Sequence, residues 1–255
     1  MKVSVVTVCL NSEATIEDTI RSVVAQEGVE IEYIIIDGGS KDSTLAIIGR
    51  YRDKVAVLVS EPDKGLYDAM NKGLARATGE VVGFLNSDDM FADPDALASL
   101  IGAMVRDGSD CVFADIDLID ETGQVARVYS AANFHPSKFE RAYAVPHPSF
   151  YARTEMVREA GGFRPSFKIA SDFELMIKLM RVRGVGWTYL PRTVVKMRLG
   201  GVSTRGLKSY RISSGELIQA IEDNGLKANR LAVHSRIVRK GMETLHGKFR
   251  RVFAS

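Results

Sequence analysis

The stretch VSVVTVCLNSEATIEDTIRSV, Val3 to Val23, opens on a β-branched run, turns on small polar residues and continues as a segment of helical period. Strand, turn and helix in that order make one βα unit. The unit repeats: Val3 to Cys9, Glu32 to Ile36, Val55 to Ser60 and Glu80 to Leu85 predict strands with helical patterns between them, the signature of a parallel sheet. These runs are near-continuously apolar rather than alternating, which predicts helices on both faces of the sheet. Ligands of such sheets bind beyond the carboxyl ends of the strands. The positions of interest are therefore Asn11, Asp37 to Ser40, Asp63 to Gly65, and Asn86 to Asp89.

A second segment follows without a linker, from Asp110 to about Gly201. It predicts strands at Cys111 to Ile116, Val125 to Tyr129, Ser149 to Tyr151 and Trp187 to Leu190, and a helix from Asp172 to Arg183. Beyond Arg205 the pattern turns helical, with an apolar stripe at Leu231, Val238, Met242, Leu245, Phe249 and Val252 flanked by Arg and Lys. The expected organisation is one catalytic domain over 1–204, halved into 1–109 and 110–204, followed by a basic helical extension over 205–255. A chain of 255 residues with 45% hydrophobic content suits one substantial domain plus an appendage. The net charge of +2 makes no case for nucleic acid as a partner, but the balance is uneven: 11 Lys/Arg against 4 Asp/Glu from Arg205 onward, 23 against 28 before it. Cys9 and Cys111 sit inside apolar runs and read as core residues. No charged-then-apolar leader opens the chain, and no apolar run approaches the roughly 18 residues of a bilayer span. The expected location is the reducing cytoplasm.

Neither G-x-G-x-x-G nor G-x-x-x-x-G-K-[ST] occurs, which disfavours dinucleotide oxidoreductases and P-loop enzymes. What stands at the strand ends is carboxylate: Asp37, Asp63, Asp88 and Asp89. Carboxylates repel a diphosphate unless a cation bridges them, and Mg2+ or Mn2+ does so with oxygen ligands. Taken singly, each acid also has a structural reading. Asp88 and Asp89 suit a solvated turn or the cap of a helix starting near Pro94. Asp37 suits an Asx turn in DGGSKDST, or it accepts the ring N–H of uracil, thymine or guanine.

Together, VSVVTVCLNSEATIEDTIRSV, EYIIIDGGSKDST and SEPDKGLYDAMNKGLARATGEVVGFLNSDD resemble the family 2 glycosyltransferases. The resemblance covers about residues 3 to 201 and is most specific between Glu32 and Asp89. It implies a GT-A fold, a Rossmann-like, mostly parallel α/β sheet whose nucleotide-binding half is 1–109 and whose acceptor half is 110–204. It also implies that Thr7, Leu10 and Asp37 line the base pocket. Lys64 and the helix start Gly65 to Asn71, Asp68 included, would lie over the nucleotide and donor sugar, and Asp88 and Asp89 would be the acidic metal motif, with Asp88 also toward the ribose. The GLYDAMNKG version looks like the branch that includes O-antigen and exopolysaccharide sugar transferases. Leu10 departs from the pattern, since many members carry an aromatic residue there.

An inverting transferase needs one carboxylate as general base, whereas retention through a carboxylate nucleophile asks for a second acid close by. Asp172, in ASDFELMIKL, matches the family's base, although Ser171 and Glu174 also form an S-x-x-E capping box around it. His147, in VPHPSFY, falls where an acceptor or donor sugar would sit, or is a turn residue. KMRLGGVSTRG resembles the mobile loop that closes over the diphosphate; where some relatives carry a metal-binding His, this chain has Met197 and Arg198, and Arg198 would neutralise the leaving diphosphate or be a surface arginine. The C-terminal helices rest either on an anionic membrane surface, on the inner face of the cytoplasmic membrane near a lipid-linked acceptor, or on the catalytic domain or a second subunit of a homo-oligomer. The expected activity is transfer of a hexose from a nucleoside-diphosphate sugar, UDP first among the nucleotides, to a glycan or lipid-linked acceptor in cell-surface polysaccharide synthesis. The alternatives are a polyprenyl-phosphate sugar synthase and a non-catalytic nucleotide-sugar-binding protein. A nucleotidyltransferase would carry a glycine-rich basic loop where CLNSEAT stands.

Overall fold

A computed structural model describes residues 1–200 and 206–235, the side chains of 206–208 excepted. The chain runs β1 (Lys2–Cys9), α1 (Ile16–Val24), β2 (Glu30–Asp37), α2 (Thr44–Gly49), β3 (Val57–Ser60), α3 (Leu66–Arg76), β4 (Val81–Phe84), β5 (Asp89–Phe91) and α4 (Ala96–Arg106). It continues with β6 (Cys111–Ile119), β7 (Val125–Tyr129), β8 (Tyr151–Arg153), α5 (Thr154–Glu159), α6 (Ser171–Met176), β9 (Trp187–Arg198) and α7 (Gly206–Asp223). Among the described residues nine strands form one sheet in the order β3-β2-β1-β4-β8-β6-β9-β5, with β7 on β6. The pairs β1·β2, β1·β4 and β2·β3 are parallel, as the βα repeats predict, and β6·β9 is parallel too. The second half adds antiparallel neighbours: β4·β8, β6·β8, β6·β7 and β5·β9.

Strand periodicity explains why both faces are apolar. Val3 and Val5 of β1 with Tyr33 and Ile35 of β2 point to the face covered by α1, α2 and α4. Val6 and Val8 with Ile34 and Ile36 point to the other face, under α3, α6 and α7. Leu217, Ala220 and Ile221 of α7 are buried in that second core, so this part of the C-terminal segment packs as an integral layer. Among the described residues no helix is long and apolar enough to cross a membrane. Of the C-terminal stripe, Leu231 is exposed, while Val238, Met242, Leu245, Phe249 and Val252 lie outside the described residues. Cys9 and Cys111 are buried thiols, as expected.

Three expectations need correction. β9 does not stop at Leu190: Leu190 pairs with Ala114 and Thr193 with Asp115, so Pro191 and Arg192 bulge out and the strand resumes to Arg198. Proline lacks the ladder N–H, which is why it reads as a strand end and why it is tolerated at a bulge. Lys196, Met197 and Arg198 are therefore strand residues, not the start of a mobile loop, and 201–205 lie outside the described residues. The strand expected at Ser149 to Tyr151 begins at Tyr151, because Ser149 closes a short 3-10 turn with Pro148 inside it. The capping box does not form: Ala170 is the N-cap, the Ser171 hydroxyl accepts the Arg164 N–H, and the Glu174 carboxylate pairs with Arg164 and Lys178. The helix expected to Arg183 continues beyond α6 as a π-helical turn over Ile177–Val182.

The amino end of the sheet, away from the strand ends of interest, is tied by the buried Glu32 carboxylate. It accepts from Ser4 Oγ at 2.6 Å, Thr78 N at 2.6 Å, Thr78 Oγ1 at 2.5 Å and Lys2 Nζ at 3.0 Å. Burial alone would raise its pKa, but these hydrogen bonds outweigh burial and bring it down to about 2. A depressed carboxyl pKa contributes stability that is present above the unfolded value and lost as pH falls through the folded one. Stability should therefore fall by about 3 kcal/mol between about pH 4.5 and 2 from this group. In urea titrations across that window, Glu32→Gln should be less stable than the parent at pH 6, with the gap closing toward pH 2.

Candidate functional site

The carboxyl ends of β1, β2 and β4 carry three loops bound into one rim. Asn11, in the left-handed region at φ 49°, donates its backbone N–H to Ser40 Oγ at 2.8 Å, and its Oδ1 accepts the Lys41 N–H at 2.9 Å. Ser12 Oγ and Ser87 Oγ lie 2.9 Å apart and join this corner to the loop after β4. Asp37 is wholly buried and accepts from Gly39 N, Ser40 N, Ser40 Oγ and Ser60 Oγ. Burial pushes its pKa up, but these donors prevail and hold the carboxyl below its ordinary range. The Asx-turn reading thus describes its side chain: it is the anionic post around which DGGS folds. Beside it, the Asp63 carboxylate occupies the space a Cβ on Gly38 would need, and the exposed Leu10 lies in van der Waals reach of the same point.

Asp88 and Asp89 follow β4. Asp89 opens β5 and is paired with Met197 across the β5·β9 ladder, which brings Arg198 to the same corner. Arg198 donates from Nη2 to Asp18 Oδ2 at 2.6 Å, and its Nη1 stands 3.5 Å from the Asp88 carbonyl oxygen. Thr19 Oγ1 donates to the Asp89 carbonyl at 2.7 Å. The Asp89 carboxyl is only 1% exposed and its Oδ1 has no hydrogen-bond partner. Burial first, then the neighbouring Asp88, push its pKa well above the carboxylate range against the pull of Arg198. Asp88 is raised too, by burial, with a backbone hydrogen bond and Arg198 opposing. The N-cap of α4 is Asp95, so neither acid caps that helix. Among the described residues no three His, Cys, Asp or Glu side chains converge as a complete metal cage.

Phe84, the last residue of β4, turns to the opposite face and stacks on His147 with centroids 6.2 Å apart, while Phe163 meets Phe84 edge-on at 4.8 Å. His147, Phe84, Phe163 and Asp172 line one small pocket. Burial lowers the His147 pKa, opposed by Asp172, and its Nε2 has no partner. Tyr67, on the first turn of α3, donates its hydroxyl to Asp172 Oδ1 at 3.1 Å. Burial, then Asp172, push the Tyr67 pKa well up, so it remains a donor. Sequence reasoning singled out the helix start but not Tyr67 itself; the signal was its place inside GLYDAMNKG.

The structure therefore brings Leu10, Asp37, Asp88, Asp89 and Arg198 to one rim, and Asp172 with His147 to the adjoining pocket. It separates others. Thr7 is buried, its hydroxyl accepting from Tyr33 at 3.2 Å beneath the rim. Gly65 caps α3 at φ 120°, a conformation that favours glycine, with its N–H on Asp63 Oδ1 at 2.8 Å; Lys64 is exposed and its N–H donates to Asp68 Oδ2 at 3.0 Å. Asp68 thus holds the turn. Asn71 is committed within the fold: its Nδ2 donates to the Phe163 carbonyl at 2.7 Å and its Oδ1 accepts the Phe163 N–H at 2.9 Å. Both ends of the amide are used to clamp α3 to the turn before α6. Asn71→Ala leaves two half-buried backbone groups unpaired and should cost about 2 kcal/mol in urea unfolding.

The model of glycosyl transferase family 2 matches residues 4–163. The uncharacterized glycosyltransferase Rv1514c of Mycobacterium tuberculosis is 35% identical over 178 residues, 69% of this chain and 68% of that protein. A PGL/p-HBAD biosynthesis glycosyltransferase of Mycobacterium bovis is 27% identical over 180 residues, with the same shares. Among solved structures, S. aureus TarS 1–349 in complex with UDP-GlcNAc aligns with a TM-score of 0.67 at 20% identity, over 87% of this chain and 66% of that one. The mannosyltransferase PcManGT from Pyrobaculum calidifontis, in complex with GDP-Man and Mn2+, aligns with a TM-score of 0.65 at 19% identity, over 92% and 68%. This chain thus spans about two thirds of the length of each of these proteins, and the structural likeness shows the expected GT-A-type fold. Taken with the extent of the sequence match, these findings establish that the chain belongs to glycosyl transferase family 2.

Proposed function

We propose that this chain is a metal-dependent, inverting glycosyltransferase that moves a hexose from a nucleoside-diphosphate sugar, with UDP the first candidate, to a hydroxyl of a glycan or lipid-linked acceptor. The observation that carries the reading is Asp89: a buried carboxyl with an unpartnered oxygen, next to a second acid, at the carboxyl end of a central parallel strand. A buried charge needs a counter-charge. Asp89 and Asp88 fit a hard divalent cation, Mn2+ or Mg2+, with the remaining oxygens supplied by diphosphate and water. Such an ion would offset the charge of the departing diphosphate. Solved relatives in fold bind UDP-GlcNAc and, with Mn2+, GDP-Man, which supports the donor class.

The chain's own residues divide the remaining work. Leu10, exposed beside the turn that Asp37 holds, is the apolar side chain that would meet the base. Arg198, anchored by Asp18, adds positive charge beside Asp88 where the diphosphate would lie. Asp172 is the general base: Tyr67 holds Oδ1, and the second oxygen takes the proton of the acceptor hydroxyl as that oxygen attacks the anomeric carbon opposite the leaving group. His147, kept neutral by its surroundings, packs with Phe84 and Phe163 in the wall of the Asp172 pocket.

The test is release of nucleoside diphosphate from UDP-, GDP- and dTDP-sugars with Mn2+, Mg2+ or EDTA. One donor should be hydrolysed slowly with metal only, and Asp89→Ala should abolish this; Mn2+ with the nucleotide should also raise the melting temperature of the parent and not of Asp89→Ala. Donor turnover undiminished in EDTA would remove the metal from the proposal, and no binding of any donor would remove the proposal itself.

Asp172→Asn distinguishes the kind of acceptor. A phosphate acceptor needs little base catalysis, so a polyprenyl-phosphate sugar synthase would tolerate the change. With a sugar hydroxyl as acceptor, kcat should fall by about 100- to 10,000-fold, the usual worth of a general base.

A further inference from the structure

Helix α7 is also held by polar contacts beyond its apolar face. Both carboxylate oxygens of Glu216 close on three successive backbone amides just ahead of α6: Oε1 accepts Lys168 N at 2.7 Å, and Oε2 accepts Ile169 N at 2.8 Å and Ala170 N at 3.1 Å. Ala170 is the N-cap of α6, and Asp172 is its second residue. About two helical turns along α7, Asp223 receives Arg164 Nη1 at 2.7 Å, and the same arginine pairs with Glu174 of α6. Helix α7 is thus held to the start and to the flank of the helix that bears the base. The family match ends at residue 163, so all of this lies beyond it.

We propose that Glu216 is a positioning residue for Asp172, a role that rests on the assignment of Asp172 as the base. Three amides in a row that point one way form an anion-binding concavity, and a helix start leaves its amides in need of acceptors. Glu216 fills this concavity and so fixes the backbone that enters α6, two residues before Asp172. With that backbone fixed, the Asp172 carboxylate stays on the Tyr67 hydroxyl, facing the pocket shared with His147. The C-terminal helix is therefore part of the catalytic apparatus, acting through another residue without touching substrate.

The experiment uses the full chain and the nucleotide-sugar that turns over in the donor panel, with water as acceptor. Glu216→Ala should lower kcat by about ten- to a hundredfold with the donor KM unchanged within about twofold, because only the base is displaced. Glu216→Gln, which retains one amide acceptor, should recover part of that loss. Hydrogen exchange at Lys168, Ile169 and Ala170 should quicken in Glu216→Ala. Asp223→Asn loosens α7 through Arg164 but leaves the three amides covered; it should lower the melting temperature and keep kcat near the parent value. If Glu216→Ala does not fold, the Gln variant carries the comparison at its own melting temperature. Parent-like kcat in Glu216→Ala, with Asp172→Asn inactive, overturns the positioning role and leaves the base in place. Equal loss of kcat in Asp223→Asn overturns it as well, reducing the effect to helix docking. Parent-like kcat in Asp172→Asn overturns the base assignment, and this role with it.

Discussion

The antiparallel pairing of Asp89–Phe91 with Val195–Met197 is the constraint on which the corner of the acids depends. Three residues of ladder fix the Asp89 backbone, cover its carboxyl, and place Arg198 within reach of the Asp88 carbonyl. A loop could not do this, because an unpaired segment would leave the acids in water, where neither would feel the other. Burial makes an ionised pair costly unless a counter-charge meets it, which is the physical basis of the cation proposed for this corner. The pairing itself depends on a bulge at Pro191 and Arg192, which lets β9 continue long enough to reach β5.

Strand β4 distributes the chemistry by alternation. Phe84 points to the face of α3 and α6, where it meets His147 and Phe163, while Leu85 points to the face of α1 and α4. Gly83 makes room on the same strand: a Cβ there would overlap the ring of Tyr151, its partner on β8. The corner of Asp88 and Asp89 and the pocket of His147 and Asp172 thus both lie at the end of one short strand, separated by the pleat and not by distance along the chain. Helix α3 links the two regions, since it begins at the Asp63–Gly65 turn and delivers Tyr67 to Asp172.

Much of this was legible before any coordinates. The β-branched runs and helical periods between them predict the parallel half and both covering layers, because strand and helix periodicities are local properties. The ordered motifs led to the family and to Asp88, Asp89 and Asp172, because chemistry of this kind needs particular residue types at strand ends and helix starts. The absence of glycine-rich phosphate loops together with acids at the strand ends pointed to a cation. Local pattern also set the limits: Pro191 reads as a stop, and Ser171 and Glu174 read as a capping box.

In both cases a partner outside the local pattern decided the outcome. Pro191 was overridden by ladders to β6 and β5 on either side of the bulge. Ser171 and Glu174 were claimed by Arg164, and Asn71 by the backbone of Phe163, 92 positions away. Tyr67 and Glu216 gained their roles the same way, by meeting Asp172 and the amides before it across 105 and 46 to 48 positions respectively. Sequence alone determined which elements form, which acids end them and what family they belong to, since propensity, periodicity and motif spacing act over a few residues. Only the tertiary structure decided which polar side chains hold the fold and which are left with an open valence, because hydrogen-bond partnership is set by packing between elements that the chain order does not specify.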